Sequence, residues 1–114
     1  MTSPVALRHY QNKDVFNLRD ICKETAWDSY KKDPKMLETV PINFLDYFIE
    51  QEPDHVWVAV DEKDRAIGYI ECNTNYRRFV KATKTIYFPR LKQVEPSQIA
   101  FERQFLLALF FIRR

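Results

Sequence analysis

The sequence is almost without glycine. Average usage would place glycine at roughly 7% of positions, but the only glycine among the 114 residues is Gly68. Loops that cradle nucleotide phosphates need glycine, because a backbone without side chains can approach the phosphate oxygens closely. The sequence therefore excludes a glycine-rich nucleotide-binding loop.

Cysteine and long apolar runs are also scarce. The two cysteines, Cys22 and Cys72, are too few for a disulfide framework and do not form a pair with metal-ligand spacing. The N-terminus lacks the apolar segment of a signal peptide. The longest apolar run, from Phe105 to Ile112, is much shorter than the ~20 residues of a membrane-spanning helix. We therefore expect free thiols, a cytoplasmic location, no metal site and no membrane partner.

The rest of the composition is that of an ordinary folded protein. Hydrophobic residues make up 46% and charged residues 30%, which predicts a single domain over residues 1–114. The net charge of +2 is too small to indicate nucleic acid binding by itself. Residues 73–94 nevertheless hold six bases and no acid, namely Arg77, Arg78, Lys81, Lys84, Arg90 and Lys92. We interpret them as the solvated face of an amphipathic helix, with RNA binding as the weaker alternative.

The first half of the chain predicts one strand and two helices. Residues 6–10 are interpreted as a strand, and apolar residues recur at helical spacing from Val15 to Cys22. Residues 27–39, which include Pro34, indicate a loop or a broken helix. A second helix is expected to begin at Pro41, because proline suits the first turn of a helix, and to end before Pro53.

The second half predicts a hairpin and two further helices. In HVWVAVDEKDRAIGYIEC, residues 55–72, two apolar segments flank a short polar turn, so the two strands are antiparallel. Both faces of the first strand are apolar and are expected to be covered, and Gly68 suggests a bulge or a close backbone approach. A helix containing Phe79 is expected to stop at Pro89, and residues 97–112 predict an apolar terminal helix. The predicted fold class is α/β (α+β), with about three mostly antiparallel strands and four helices.

This order of elements resembles the first part of the GCN5-related N-acetyltransferase (GNAT) fold. LRHYQNKDVFNLRDIC is similar to the first strand and helix of that family, and VWVAVDEKDRAIGYIEC to its second and third strands. YFPRLK further resembles bacterial members related to the acetyltransferase-like domain of some O-GlcNAc hydrolases. The resemblance covers residues 5–92. It implies a partial GNAT-like fold in an enzyme that moves an acetyl group from acetyl-coenzyme A to a small-molecule or peptide amine.

The chain departs from the family where the cofactor binds. The family holds acetyl-coenzyme A with a glycine-containing loop after its fourth strand, and no glycine follows Gly68 in this sequence. We therefore expect a truncated, acceptor-side half that contains no cofactor-binding residues. Such a half is expected neither to bind acetyl-coenzyme A nor to be active by itself.

The resemblance also suggests site residues. Trp27 and Tyr30 follow the first helix, where the family lines its acceptor cleft, although packing is the simpler interpretation. Tyr69 and Glu71 lie two residues apart on a strand face that, in the family, looks toward the cleft or a helix. Glu71 is the candidate to attract the amine or remove its proton, with a solvent-facing position as the alternative.

Other reactive side chains have plainer interpretations. His9 and His55 flank predicted strands and are expected to be ordinary strand-end residues. Cys22 and Cys72 are expected to pack in the protein, because neither has a neighbouring base in the sequence.

The alternative to an enzyme is a non-enzymatic interaction module. The apolar run from Phe105 to Ile112 would dock onto a partner or onto a second copy of the chain in a homodimer. An exposed apolar patch and an open sheet edge both favour association.

Overall fold

The computed structural model describes residues 5–96 of the 114-residue chain. The described part is a mixed α/β fold with three antiparallel strands, which confirms the predicted fold class. Its strands are β1 (Ala6–His9), β2 (Val56–Val60) and β3 (Ala66–Glu71). Its α-helices are α1 (Val15–Glu24), α2 (Asp28–Lys31), α3 (Pro34–Phe44), α4 (Asp46–Gln51), α5 (Tyr76–Ala82) and α6 (Phe88–Val94).

The sheet has the strand order β1-β2-β3, and both pairs are antiparallel. Ala59 pairs with Gly68 and Val60 pairs with Ala66, so Ile67 is an extra residue in β3. The bulge suggested for Gly68 is thus confirmed. A close backbone approach is not the reason for this glycine, because an added Cβ would meet the nearest atom, the Ala59 Cβ, at an ordinary 4.0 Å.

One face of the sheet carries the main core. Alternate residues of β2, Val56, Val58 and Val60, point to this face and are buried against Leu18 of α1 and Leu45. The alternation that sends these valines inward sends Trp57 to the opposite face. There Trp57 is 42% exposed and its ring lies 3.8 Å from that of His9.

The prediction that both faces of β2 are covered is wrong for the described part of the chain. On the second face Leu7 is 70% exposed and Ile70 is 67% exposed. The helices between residues 15 and 51 pack on the first face instead, where they bury the valines.

The position of the second long helix differs from the prediction. Residues 27–39 are a broken helix: α2 ends at Lys31 and α3 begins at Pro34. Asp33 caps α3 by accepting a hydrogen bond from the Lys35 amide at 3.0 Å, and Pro34 occupies the first turn. Pro41 therefore lies inside α3 rather than at its start. A proline does mark the start of this helix, but it is Pro34 and not Pro41.

The prediction that Pro89 stops a helix is also wrong. A π-helical turn, Thr83–Tyr87, joins α5 to α6, and Pro89 falls in the first turn of α6, where a missing amide costs little. Phe79, Thr83 and Tyr87, which follow one another at four-residue spacing, are buried. Phe79 and Tyr87 form a second core cluster with Tyr47 of α4, and Thr83 lies beside this cluster.

The predicted terminal helix over residues 97–112 lies outside the described residues. Among the helices of residues 5–96, none combines the length and apolar character required to cross a membrane.

Candidate functional site

A small cavity opens where the end of α1, α2, α3 and β3 meet. Its volume is about 270 Å³. The turn after α1 shapes one side, and there Thr25, the C-cap residue of α1, donates its hydroxyl to the Ile21 carbonyl at 2.8 Å. The lining residues are Cys22, Thr25, Ala26, Trp27, Tyr30, Val40, Phe44 and Tyr69.

Aromatic side chains form the walls of the cavity. Trp27 and Tyr30 pack edge to face with ring centroids 5.6 Å apart. Trp27 is 67% exposed and Phe44 is 41% exposed, so both remain in contact with water. The structure thus brings together Trp27 and Tyr30, suggested from the sequence as a substrate wall, and Tyr69, suggested as a further substrate-binding residue.

A cysteine and a tyrosine lie side by side within the cavity. The Cys22 Sγ and Tyr69 Oη atoms are 2.6 Å apart, within hydrogen-bond reach, and either can be the donor. Burial raises the pKa of the Cys22 thiol and outweighs its bond to Tyr69, which acts in the opposite direction. Burial also raises the pKa of the Tyr69 phenol, helped by its bond to Cys22. Both groups therefore stay protonated at neutral pH.

Glu71 lies beside this pair rather than in the cavity lining. It follows Tyr69 by two residues on β3, so both side chains lie on the same face of the sheet. Its Oε2 atom is buried and makes no hydrogen bond within residues 5–96. Burial raises the pKa of Glu71 to about 8. The alternative of a solvent-facing Glu71 is wrong, since the face it lies on is packed against α1.

The comparisons with known proteins identify the fold. No family model and no curated protein matches the chain. The crystal structure of SsHAT matches it with a TM-score of 0.67 over 81% of this chain and 46% of that chain, at 23% sequence identity. The fold is acetyltransferase-like. The chain spans about half the length of SsHAT.

Five of the eight residues that line the cavity were not suggested from the sequence, among them Cys22 and Phe44. Cys22 and Phe44 lie on the apolar stripes of α1 and α3, and such stripes predict core positions. Cys22 is indeed buried, and it is at once part of the core and of the cavity wall. A pattern of apolar spacing cannot separate these two roles, because both favour the same residue types.

The remaining candidates lie elsewhere. His9 is the last residue of β1 and His55 directly precedes β2, so both are strand-end residues as predicted. Cys72 is exposed, and the prediction that it packs in the protein is wrong. It follows the last paired residue of β3, beyond the edge of the core. Among residues 5–96, no three side chains of metal-ligating type come together.

The basic stretch is partly neutralised by carboxylates. Arg90 donates to Glu50 at 2.8 Å and to Asp46 at 3.0 Å, which ties α6 to α4. Arg19 of α1 binds the same Asp46 from the other side. Arg77, Lys81 and Lys84 are exposed, as the solvated-face interpretation predicts.

Proposed function

We propose that the chain provides the acceptor-binding side of an N-acyltransferase. In this proposal the cavity holds the substrate through the group that carries its amine, and Glu71 accepts a proton from the ammonium. The neutral amine that results has the free electron pair needed to attack an acyl carbon. Cys22 and Tyr69 remain protonated and position the substrate.

The observation that carries the proposal is the isolated Glu71 carboxyl next to the cavity. An uncompensated buried carboxyl is costly to ionise, and such groups cluster where a function requires them. A general base works best when its pKa lies near the working pH, and the pKa of Glu71 is raised to about 8. A cationic amine arriving beside Glu71 would supply the missing partner.

The cofactor of the family does not fit the described residues. Gly68, the only glycine in the sequence, lies within β3 and has no positive φ angle. Residues 76–82, which follow β3, form α5, and at its start the Asn75 side chain accepts a bond from the Arg78 amide at 3.0 Å. That amide is therefore not free for a phosphate. The proposal accordingly assigns only the amine side of the reaction to these residues.

The proposal predicts that amine binding depends on the ionisation of Glu71. We expect the affinity for 2-phenylethylamine, measured by calorimetry, to rise between pH 6 and pH 9, because the carboxylate forms while the ammonium, with a pKa of about 10, is still charged. The groups that face Glu71, Cys22 on α1 and Tyr69 on β3, have pKa values raised above their ordinary ones, so Glu71 is the first of the three to titrate as the pH rises. Glu71→Gln should remove the rise and weaken binding about tenfold at pH 9.

Glu62→Gln is the control for this experiment. Glu62 is exposed in the β2–β3 turn, so its replacement should leave the pH dependence of binding as it is in the unmodified chain. Equal affinities of the unmodified chain and E71Q at both pH values would refute the proposed role of Glu71.

A further inference from the structure

We propose that the amine bound here carries a small hydrophobic group, such as a single aromatic ring, which fills the cavity while the ammonium points toward Glu71. This inference rests on the proposed function and adds the chemical class of the acceptor. It is carried by three properties of the cavity: its chemistry, its size and the exposure of its aromatic walls.

The chemistry of the cavity disfavours polar acceptors. No charged side chain is among its lining residues. Three of its polar groups are already hydrogen-bonded: the Thr25 hydroxyl to the Ile21 carbonyl, and the Cys22 thiol and Tyr69 hydroxyl to each other. A sugar or a peptide would lose water at several polar groups and would find only the Tyr30 hydroxyl and the Trp27 indole N–H among the lining groups that are not already hydrogen-bonded.

The size of the cavity limits the acceptor to a small group. A volume of about 270 Å³ lies just below the roughly 300–1,000 Å³ of pockets that enclose drug-sized ligands. One ring or a short branched chain fits this space. The side chain of Tyr69 reaches the cavity from β3, and Glu71 follows it on the same strand face. The carboxylate that would pair with the ammonium therefore lies beside the apolar cavity rather than in its lining.

The exposed walls indicate that a ligand completes the packing. Trp27 and Phe44 belong to the large hydrophobic side chains that the described part leaves in water. Both line the same cavity, whereas exposed Phe16 of α1 does not. Aromatic pairs gain most from edge-to-face or offset contacts, and the edge-to-face pair of Trp27 with Tyr30 already presents such surfaces to an incoming ring.

The chain offers its own fluorescent reporter for a test. Its two tryptophans are Trp27 at the cavity and Trp57 on the opposite face of the sheet, so Trp57→Phe leaves only the cavity reporter. We would titrate this variant at pH 9 with 2-phenylethylamine, with Nα-acetyl-lysinamide as an amine on a peptide-like stem, and with 2-phenylethanol as the ring without an amine. We expect saturable binding of 2-phenylethylamine, and binding about tenfold weaker for each of the other two.

The three ligands distinguish a failure of the hydrophobic acceptor from a failure of the proposed amine-binding function. Equal affinity for Nα-acetyl-lysinamide and 2-phenylethylamine would overturn the hydrophobic acceptor and leave the proposed function standing. Equal affinity for 2-phenylethanol would show that the amine is not recognised, which overturns both. A lack of saturable binding for all three ligands would also overturn both.

A matched pair of substitutions locates the ring. Phe44→Ser should weaken 2-phenylethylamine binding about tenfold, whereas Phe16→Ser, which removes the same atoms from an exposed site on α1, should leave it unchanged. Thermal melts confirm that both variants are folded, and Phe44→Leu replaces F44S if that variant is not. Unchanged binding in a folded Phe44 variant would overturn the inference.

Discussion

Replacing Glu71 with glutamine is expected to raise the free energy of unfolding at pH 9 by several kcal/mol and to leave it unchanged at pH 4. Burial raises the pKa of Glu71 from its ordinary value of 4.5 to about 8. Between pH 4.5 and pH 8 the folded chain binds a proton that the unfolded chain has released, so the free energy of unfolding falls as the pH rises. Well above pH 8 the folded chain bears the full cost of ionising Glu71. A pKa rise from 4.5 to about 8 corresponds to at most about 5 kcal/mol of lost stability.

Urea denaturation at pH 4 and pH 9 measures this effect directly. Glutamine has nearly the same shape as glutamate but no charge, so the difference between E71Q and the unmodified chain should appear only at the higher pH. Glu62→Gln, in the exposed turn, should match the unmodified chain at both pH values. A loss of stability for E71Q at pH 9 would mean that Glu71 has a cationic partner or free access to water.

Replacing Glu52 with alanine is expected to lower the free energy of unfolding at pH 7 by about 2–4 kcal/mol, because several hydrogen bonds to one buried carboxylate are lost. The Glu52 side chain is completely buried and accepts bonds from the Tyr47 hydroxyl at 2.7 Å, the Thr74 amide at 3.0 Å and the Thr74 hydroxyl at 2.6 Å. It also lies 3.1 Å from the His55 Nδ1 atom. Alanine would leave the buried Tyr47 hydroxyl without its acceptor, and it would remove the bonds from Thr74 that join the end of α4 to the segment after β3.

Glu52 also makes a prediction for acid stability, with the opposite sign to Glu71. Burial alone would raise the pKa of Glu52, but the bonds donated by Thr74, Tyr47 and His55 outweigh it and lower the pKa to about 2. The unmodified chain should therefore lose stability as the pH falls from 4.5 to 2, and E52A should lose less in that interval. Glu38→Ala, which removes an exposed carboxylate paired with Lys23, serves as the control in the same denaturation series. A change below about 1 kcal/mol in E52A would contradict the structural role of Glu52.

The parts of the fold that could be predicted are those with short-range signals. The β2–β3 hairpin joins two apolar segments through a turn in which the Asp61 side chain accepts bonds from the Lys63 and Arg65 amides, so sequence neighbours determine it. The helix α1 has a regular apolar stripe with Leu18 and Cys22 buried. In both places the local pattern and the tertiary packing require the same residues.

The parts that were missed depend on contacts between distant residues. Glu52 looks like any surface glutamate in the sequence, because its main partner, Thr74, lies 22 residues away. A proline inside a regular α-helix would interrupt it, but Pro89 follows a π-helical turn and lies in the first turn of α6, so the helical chain continues. The exposure of Trp57 follows from which face the helices cover, and the alternation of β2 does not contain that information.

The candidate site was predicted in part. Trp27, Tyr30 and Tyr69 were suggested by the resemblance to a family, and their common cavity is a finding of the structure. The isolation of Glu71 could not be predicted, because it depends on the absence of a partner for the buried Oε2 atom among residues 5–96. A sequence lists the charged groups but does not show which of them meet.

The most direct test of the account is the pKa of the Glu71 carboxyl, measured by carbon-13 NMR with and without saturating 2-phenylethylamine. The account predicts a value near 8 in the free chain, which falls when the amine is bound because the ammonium favours the carboxylate. An ordinary glutamate pKa in the free chain, or a raised pKa that does not respond to the amine, would contradict the claim that Glu71 is the proton acceptor of an amine-binding site.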